Sequence, residues 1–270
     1  MKLGFFFKKV NQHFFRYIYL YTGIDLSVET VSCFSYFVLK RQLKQFKKQG
    51  LKSSVAFPIA KLIPCYEDKQ SNAGILGFHY FYQDLYVAQR IYQNNPNRHI
   101  DIGSSISGFI AHVASFRKIE VYDIRPLSDP IPNVKFKQFD IMQLNEEEIE
   151  CTDSISCLHA LEHFGLGRYG DPICYDGYLS GFFNIYKTLK KNGKFYFSVP
   201  LGKQRVEFHA HRVFSLKYLL EIIMPYYEIN IFSYIDDNNV FYENVIISEE
   251  QIANNCGCRF GCAIFELTKK

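Results

Sequence analysis

One segment constrains this chain more than any other. His99-Ile100-Asp101-Ile102-Gly103-Ser104-Ser105-Ile106-Ser107-Gly108 is followed by Ile119-Glu120-Val121-Tyr122-Asp123. The short apolar run predicts a strand, the small residues a turn, and Phe109, Ile110, Val113 and Phe116 the apolar face of a helix over 109–116. A second strand then ends on a carboxylate 22 residues after Asp101. An α/β sheet holds a nucleoside in this way. Small residues let the backbone approach the ligand, and the acid at the second strand tip accepts bonds from ribose hydroxyls.

The rest of the chain repeats the pattern. Strands are predicted at His99–Ile102, Ile119–Asp123, Val134–Phe139, Ser154–Leu158, Lys194–Val199, Glu228–Ile235 and Ala263–Thr268. Helices are predicted at Phe81–Tyr92, Phe109–Phe116, Leu179–Lys190 and Leu216–Met224, with Asn192-Gly193 ending the third and turning the chain into the next strand. Alternating strands and helices give a parallel sheet covered on both faces. The last two strands, joined through 236–261 without an evident long helix, read as an antiparallel pair at one edge. The expected architecture is an α/β, Rossmann-like, seven-stranded and mainly parallel sheet, with helices on both faces and an antiparallel edge strand. A helical N-terminal extension precedes it. Residues 1–78 read as a basic, aromatic-rich extension and connector, and residues 79–270 as the α/β domain. Pro58, Pro64, Gly74 and Gly77 fall in the connector.

Charge separates the same two parts. Residues 1–52 hold 10 Lys/Arg against 2 Asp/Glu, whereas the remainder holds 21 against 25. Lys40, Arg41, Lys44, Lys47 and Lys48 interleave with Leu43 and Phe46, the pattern of a basic amphipathic helix. Two readings are open: peripheral contact of residues 1–52 with the inner face of an anionic membrane, or a solvated helix covering the core. No run of 18 apolar residues occurs, so a span is not expected. Without a secretory leader, the eight cysteines read as reduced thiols of a cytoplasmic protein. The basic residues lie among bulky hydrophobics and match no nucleic-acid motif, so nucleic acid is not an expected partner.

Seven strands with a reversed final hairpin resemble the class I S-adenosylmethionine-dependent methyltransferases over roughly residues 80–270. At closer range the chain is similar to a bacterial and eukaryotic family known only as a domain of unknown function. The similarity lies in residues 99–104, 122–127, 154–171 and 197–202. That resemblance implies a link to bacterial surface-polysaccharide biosynthesis. It supplies no reaction.

The methyltransferase resemblance implies S-adenosylmethionine as cofactor. Asp101 would orient the turn and the amino end of the methionine moiety. Gly103 and Gly108 would permit tight backbone turns, Asp123 would take the ribose hydroxyls, and Asp140 the adenine amine beside Ile141 and Met142. Leu158 and His159 would line the sulfonium end. The family's turn carries glycine at alternating positions. Here Ser105 and Ser107 stand at the second and third of these, so a serine either crowds the methionine surface or bonds to it. An inert scaffold that has lost the cofactor and serves binding or assembly is the rival reading.

A second group of residues points to a polar substrate. Phe164-Gly165-Leu166-Gly167-Arg168-Tyr169-Gly170-Asp171 is a glycine-rich loop after the fourth strand, and His209-Ala210-His211-Arg212 follows the fifth. Both leave adjacent strands at the same edge. They would gather His163, His209 and His211 as candidate bases, with Glu162, Arg168, Tyr169, Asp171 and Arg212 toward a phosphate or carboxylate. A sugar or glycan precursor suits that set. A divalent metal on the same residues, in a metal-dependent sugar-processing enzyme, is a further alternative. His13, His79 and His112 read as structural.

His159-Ala160-Leu161-Glu162-His163 also matches the inverted zinc-protease pattern. That motif needs a long helix, whereas a strand precedes it here and Gly165 follows. Cys256, Cys258 and Cys262 lack an evident fourth ligand and read as a turn, with a structural zinc site as the minor alternative.

Overall fold

In the computed structural model the described residues are 32–52, 54–55, 57–63, 74 and 77–270. They belong to two units, Met1–Ile75 and Leu76–Lys270. Residues 1–31 of the expected helical extension lie outside the described residues. In the first unit, helix α1 spans Ser32–Gly50 and ends on Lys47 and Lys48, where cations complement the negative end of the helix dipole. Phe37 and Phe46 are exposed on it, and the Lys40 ammonium lies 5.2 Å from the Tyr36 ring centre. No described helix is long and apolar enough to cross a membrane.

The second unit opens with helix α2 (Phe78–Asn94) and strand β1 (His99–Ile102). A π-type turn at Ile106–Ile110 runs into the short helix α3 (Ala111–Ala114). Strands β2 (Ile119–Asp123), β3 (Val134–Gln138) and β4 (Thr152–Leu158) follow. Next come α4 (Gly177–Thr188) and β5 (Leu189–Leu201), then a small hairpin, β6 (Arg205–Glu207) and β7 (His211–Val213). Helix α5 (Leu216–Ile223), β8 (Tyr227–Ile235), β9 (Phe241–Tyr242), α6 (Glu249–Asn254) and β10 (Gly261–Lys269) complete it.

The main sheet has eight strands in the order β3-β2-β1-β4-β5-β10-β8-β9. Strands β1 to β5 pair in parallel. Strand β10 is antiparallel to both β5 and β8, and β9 is antiparallel to β8. All seven expected strands form. The eighth, β9, has two residues and no readable alternation. The expected antiparallel pair, β8 and β10, forms at one side of the sheet, with β10 inserted between β5 and β8 and the short β9 outermost. The chain passes from β1 to one side through β2 and β3, then returns to the other side of β1 as β4. The sheet order therefore reverses at β1, and the crevice beyond its C-terminal end is where such sheets take ligands.

Period-two alternation puts a core on each face. Phe195, Phe197 and Phe265 face α4 and α5 (Phe182, Ile185, Leu216, Leu219, Ile223). Tyr196 and Ile264 face the opposite way, onto Val87 and Ile91 of α2 and Phe109 and Val113.

Three local differences from the sequence reading have physical causes. Helix α4 ends at Thr188 rather than at Asn192-Gly193. Leu189 is fully buried and already pairs with Thr152, while Lys194 pairs with Ser154, so exposed Lys190, Lys191 and Asn192 bulge from β5 with Asn192 at φ 62°. The segment over 109–116 begins earlier, as a π-type turn. Helix α6 was not expected. It is held by a reciprocal capping box, in which the Ser248 side chain accepts from the Gln251 backbone and the Gln251 side chain accepts from the Ser248 backbone.

Candidate functional site

The turn after β1 is set by a buried polar network. Asp101 is fully buried; its Oδ2 accepts from the Ser104 backbone N–H at 2.9 Å, and its Oδ1 from the Ser104 and Ser156 hydroxyls at 2.6 Å each. Ser104 Oγ in turn accepts from the Leu158 N–H at 3.2 Å, which ties β4 to the turn. Behind it, His99 joins Ser154 and Ser156 at 2.7 and 3.1 Å. Burial raises the Asp101 carboxyl to about 7 against the pull of its serine partners. Asp101 therefore positions the turn and does not face a cavity. Gly103 is the only residue from 99 to 110 with positive φ, at 69°, and a Cβ there would lie 3.2 Å from Ala160 Cβ. Ser105 is in an extended conformation at φ −66°, so the backbone at that position does not need glycine.

Three contiguous cavities open beyond the strand ends. The innermost is a narrow slot of about 70 Å³, lined by Ile102, Gly103, Asp123, Phe139, Asp140, Ile141 and Met142 among others. The second, about 410 Å³, adds Ser105, Leu158 and Tyr80. The third, about 700 Å³, is lined by Glu162, Arg168, Arg205, His211 and Arg259 together with aromatic rings. His159, His163 and Tyr169 line all three and join them into one cleft.

Asp123 does not stand free in the slot. Arg125 clamps it, with Nε 3.0 Å from Oδ1 and Nη2 2.7 Å from Oδ2, and the Arg125 guanidinium lies 4.5 Å from the Tyr169 ring centre. Asp140 Oδ1 accepts from the Met142 N–H at 2.9 Å, a turn that presents Ile141 and Met142 to the slot.

The segment after β4 gathers titratable side chains against the cleft. His159 sits at φ 49°, and its Nδ1 is 2.9 Å from Glu162 Oε1. Its Nε2 is buried with no hydrogen-bond partner among the described residues. Glu162 is 1% exposed. Its side-chain ionic partners are His159 and His163, the latter at 3.8 Å. Burial alone would lower His159, but Cys262 and Glu162 outweigh it and hold the imidazole well above its usual value. Burial opposes ionisation of Glu162, yet the neighbouring His159 and His163 hold it below the usual carboxylate range. His163 donates from Nδ1 to the Ala210 carbonyl at 2.6 Å, which leaves Nε2 with its lone pair. Burial pushes its pKa down. Asp171 accepts from the Gly167 and Tyr169 N–H groups at 3.1 and 3.2 Å and so folds the loop that carries Tyr169. Arg168 donates to the Ala210 carbonyl at 3.0 Å, and His211 Nε2 lies 3.2 Å from Glu207.

Three expected site residues are placed elsewhere. Arg212 is 6% exposed and donates to the carbonyls of Glu162, Phe164 and Tyr175 at 3.3, 2.6 and 2.9 Å. It fastens the loop and does not meet a substrate in the cleft. His209 is exposed at φ 68°, in the turn between β6 and β7, and lines none of the three cavities. Gly108 packs beneath Asp84, whose Oδ2 a Cβ would meet at 2.3 Å. The cysteines also part company. Cys256 and Cys258 belong to the core on one face of the sheet, and Cys262 to the core on the other. Arg125 and Tyr80 were missed by sequence reasoning, and His79 was read as structural. His79 lines the large cavity, and its ring centre is 5.5 Å from that of His159. Arg125 had a signal, standing two residues after the strand-end acid. His79, on α2, had none, because it meets His159 only through tertiary packing.

The solved structures similar to this chain include three with the following relationships. A Burkholderia thailandensis 1,6-didemethyltoxoflavin-N1-methyltransferase, with bound 1,6-didemethyltoxoflavin and S-adenosylhomocysteine, is 12% identical over 70% of this chain and 78% of that one, with a TM-score of 0.48. The N-methyltransferase NodS from Bradyrhizobium japonicum, in complex with S-adenosylhomocysteine, is 12% identical over 71% and 88%, with a TM-score of 0.47. The [4+2]-cyclase SpnF is 14% identical over 69% and 80%, with a TM-score of 0.49. No curated protein matches the chain in sequence. A family model described as "Caenorhabditis protein of unknown function, DUF268" matches residues 110–256. The match takes in Asp123, Asp140 and the His159–His211 region, and begins after the Gly103 turn. It covers more than half of the chain, and the chain belongs to this family.

Proposed function

We propose that this chain transfers a methyl group from S-adenosylmethionine to a hydroxyl or amine of a sugar, nucleotide sugar or glycan precursor. One observation carries the reading. Gly103, Asp123 and Asp140 line a single slot at the point where the sheet order reverses, and His163 and Tyr169 join that slot to a wider cavity lined by Arg168, Arg205 and Arg259.

The residues present fit the cofactor. The slot is apolar along Ile102, Phe139, Ile141 and Met142, as an adenine requires. A carboxylate at Asp123 suits ribose hydroxyls, and one at Asp140 an exocyclic amine. Gly103 lets the backbone approach where a side chain would crowd Ala160. When bound, S-adenosylmethionine supplies an electrophilic methyl on a sulfonium.

The chain's own residues would do the rest. The Arg125–Asp123 ion pair would open to free the carboxylate for the ribose. Arg168, Arg205 and Arg259 attract an anionic acceptor into the large cavity. His163 Nε2 would accept the proton that the acceptor hydroxyl or amine gives up. The Ala210 carbonyl fixes the tautomer this needs, and burial keeps the imidazole unprotonated near neutral pH. Holding the two reactants in line supplies much of the remaining rate.

The test is methyl transfer from labelled S-adenosylmethionine across a panel of nucleotide sugars and phosphosugars. His163→Gln is expected to retain cofactor affinity and lose about a hundredfold or more in turnover, the size of a general-base contribution. Turnover unchanged in that variant would remove His163 as the base. No transfer to any sugar, with transfer to another acceptor class, would remove the glycan assignment.

A further inference from the structure

His79, His159 and Cys262 converge from three separate elements: the first turn of α2, the end of β4 and the start of β10. One ligand atom from each lies within 4.8 Å of the others. We propose that these three side chains hold a divalent zinc-class ion whose fourth position faces the large cavity.

Both histidines can serve as ligands, the ion displacing the proton that His159 otherwise holds. His159 Nδ1 is engaged by the Glu162 carboxylate at 2.9 Å, which leaves Nε2, buried and unpartnered among the described residues, to face the cluster. The His79 ring centre lies 5.8 Å from that of Phe260. A carboxylate behind a histidine is an outer partner that orients a metal-bound imidazole. Cys262 is fully buried. Its thiol contacts are long, at 3.6 Å to Gln83 Oε1 and 3.7 Å to the Ala263 carbonyl, and it lies beside His159. A metal would take the sulfur as its third ligand with loss of the thiol proton.

Two nitrogens and one sulfur select zinc, or cobalt in its place, over magnesium or calcium. Zinc takes such ligands at about 2.0–2.3 Å in a tetrahedron, so the three atoms would close by about 1 Å on binding. Three protein ligands with one open position is the composition of a catalytic rather than a structural zinc site. His79, His159 and Glu162 all line the cavity of about 700 Å³, so the open position meets that space. An acceptor hydroxyl entering there would be acidified by the ion; that role rests on the proposed methyl transfer, whereas the ion's binding does not.

The test is titration of the full chain, stripped with chelator, with cobalt alone and no cofactor or acceptor present. The expected result is one equivalent of cobalt, with the visible bands of a tetrahedral ion and a thiolate charge-transfer band. Cys262→Ala should abolish the charge-transfer band, and His79→Gln should weaken binding at least about tenfold. Cys256→Ala and Cys258→Ala should leave both signals unchanged. Circular dichroism reports whether each variant is folded. If Cys262→Ala does not fold, His79→Gln and the two control variants decide. No cobalt bound by folded wild-type chain, or a charge-transfer band that survives Cys262→Ala, would overturn the site. Because no S-adenosylmethionine is used, failure here leaves the methyl-transfer reading standing, and failure of that reading leaves the metal site standing.

Discussion

Arg125 and Asp123 show how much of the site is decided between single residues. The acid at the end of β2 was legible in the sequence because strand-end position and spacing after the glycine turn are both one-dimensional properties. Its state was not. The Arg125 guanidinium, with a half-exposed side chain, occupies the carboxylate that a ribose would use. An ion pair of this exposure contributes about 0.2–1 kcal/mol, so a ligand can displace it at modest cost. Arg125→Ala is therefore expected to tighten S-adenosylhomocysteine binding by up to about fivefold in calorimetry. Weaker binding in that variant would mean that Arg125 holds the ligand itself. The serines at 105 and 107 also become intelligible at this scale, since neither has positive φ and the one position with it is Gly103.

At the scale of elements, the segment from β4 to α4 works as a unit fastened from below. Gly165 has φ 76°, and a Cβ there would lie 2.0 Å from the Cys174 carbonyl oxygen, so the loop returns directly over its own continuation. Arg212, reaching from β7, satisfies three carbonyls of that loop from a buried position. Sequence reasoning placed Arg212 with the substrate because an arginine in a His-rich run after a strand carries no mark of its direction. Strand β7 points it beneath the loop, and the Tyr178 ring lies 4.7 Å from its guanidinium. Arg212→Met should lower stability by about 2–4 kcal/mol, through unpaired buried carbonyls, in urea unfolding. Cofactor affinity of the protein that remains folded should be unchanged. A selective loss of acceptor turnover with full stability would restore Arg212 to the substrate. Strands β1, β4 and β10 were legible because their apolar runs are buried on both faces, and β3 and the first half of β8 from the alternation of residues that are only half-buried. The hairpin β6–β7, β9 and α6 were not, because they are short and their existence depends on what they pack against.

At the scale of the whole molecule, the sheet is built around titratable groups that burial holds away from their usual charge. His99 is pushed down to about 3 and His79 to about 4, in both cases chiefly by burial. The unfolded chain takes up protons on these imidazoles below about pH 6.5, whereas the folded chain refuses them until about 3–4. Stability from these two groups is thus present above pH 6.5 and lost as pH falls through that window. Asp101, raised to about 7, acts with the opposite slope, losing stability as pH rises from about 3.8 to 7. His99→Gln should flatten the acid limb between pH 6.5 and 4 in urea midpoints, removing a loss on the order of 4 kcal/mol at most. An unchanged limb would show that His99 protonates without cost. The alternation of strands and helices predicted a parallel sheet and the acids at its strand ends marked the cleft, so its location was legible, whereas the strand order was not. The joining of slot and cavity through His159, His163 and Tyr169 was not, because it depends on a positive-φ residue after β4 and a loop folded by Asp171. The most direct measurement is isothermal titration of the folded chain with S-adenosylmethionine and S-adenosylhomocysteine, beside Asp123→Ala. Micromolar binding of both ligands to the wild-type chain, lost in the variant, is the expected result. No binding to folded wild-type chain, or equal binding to Asp123→Ala, would contradict the cofactor site.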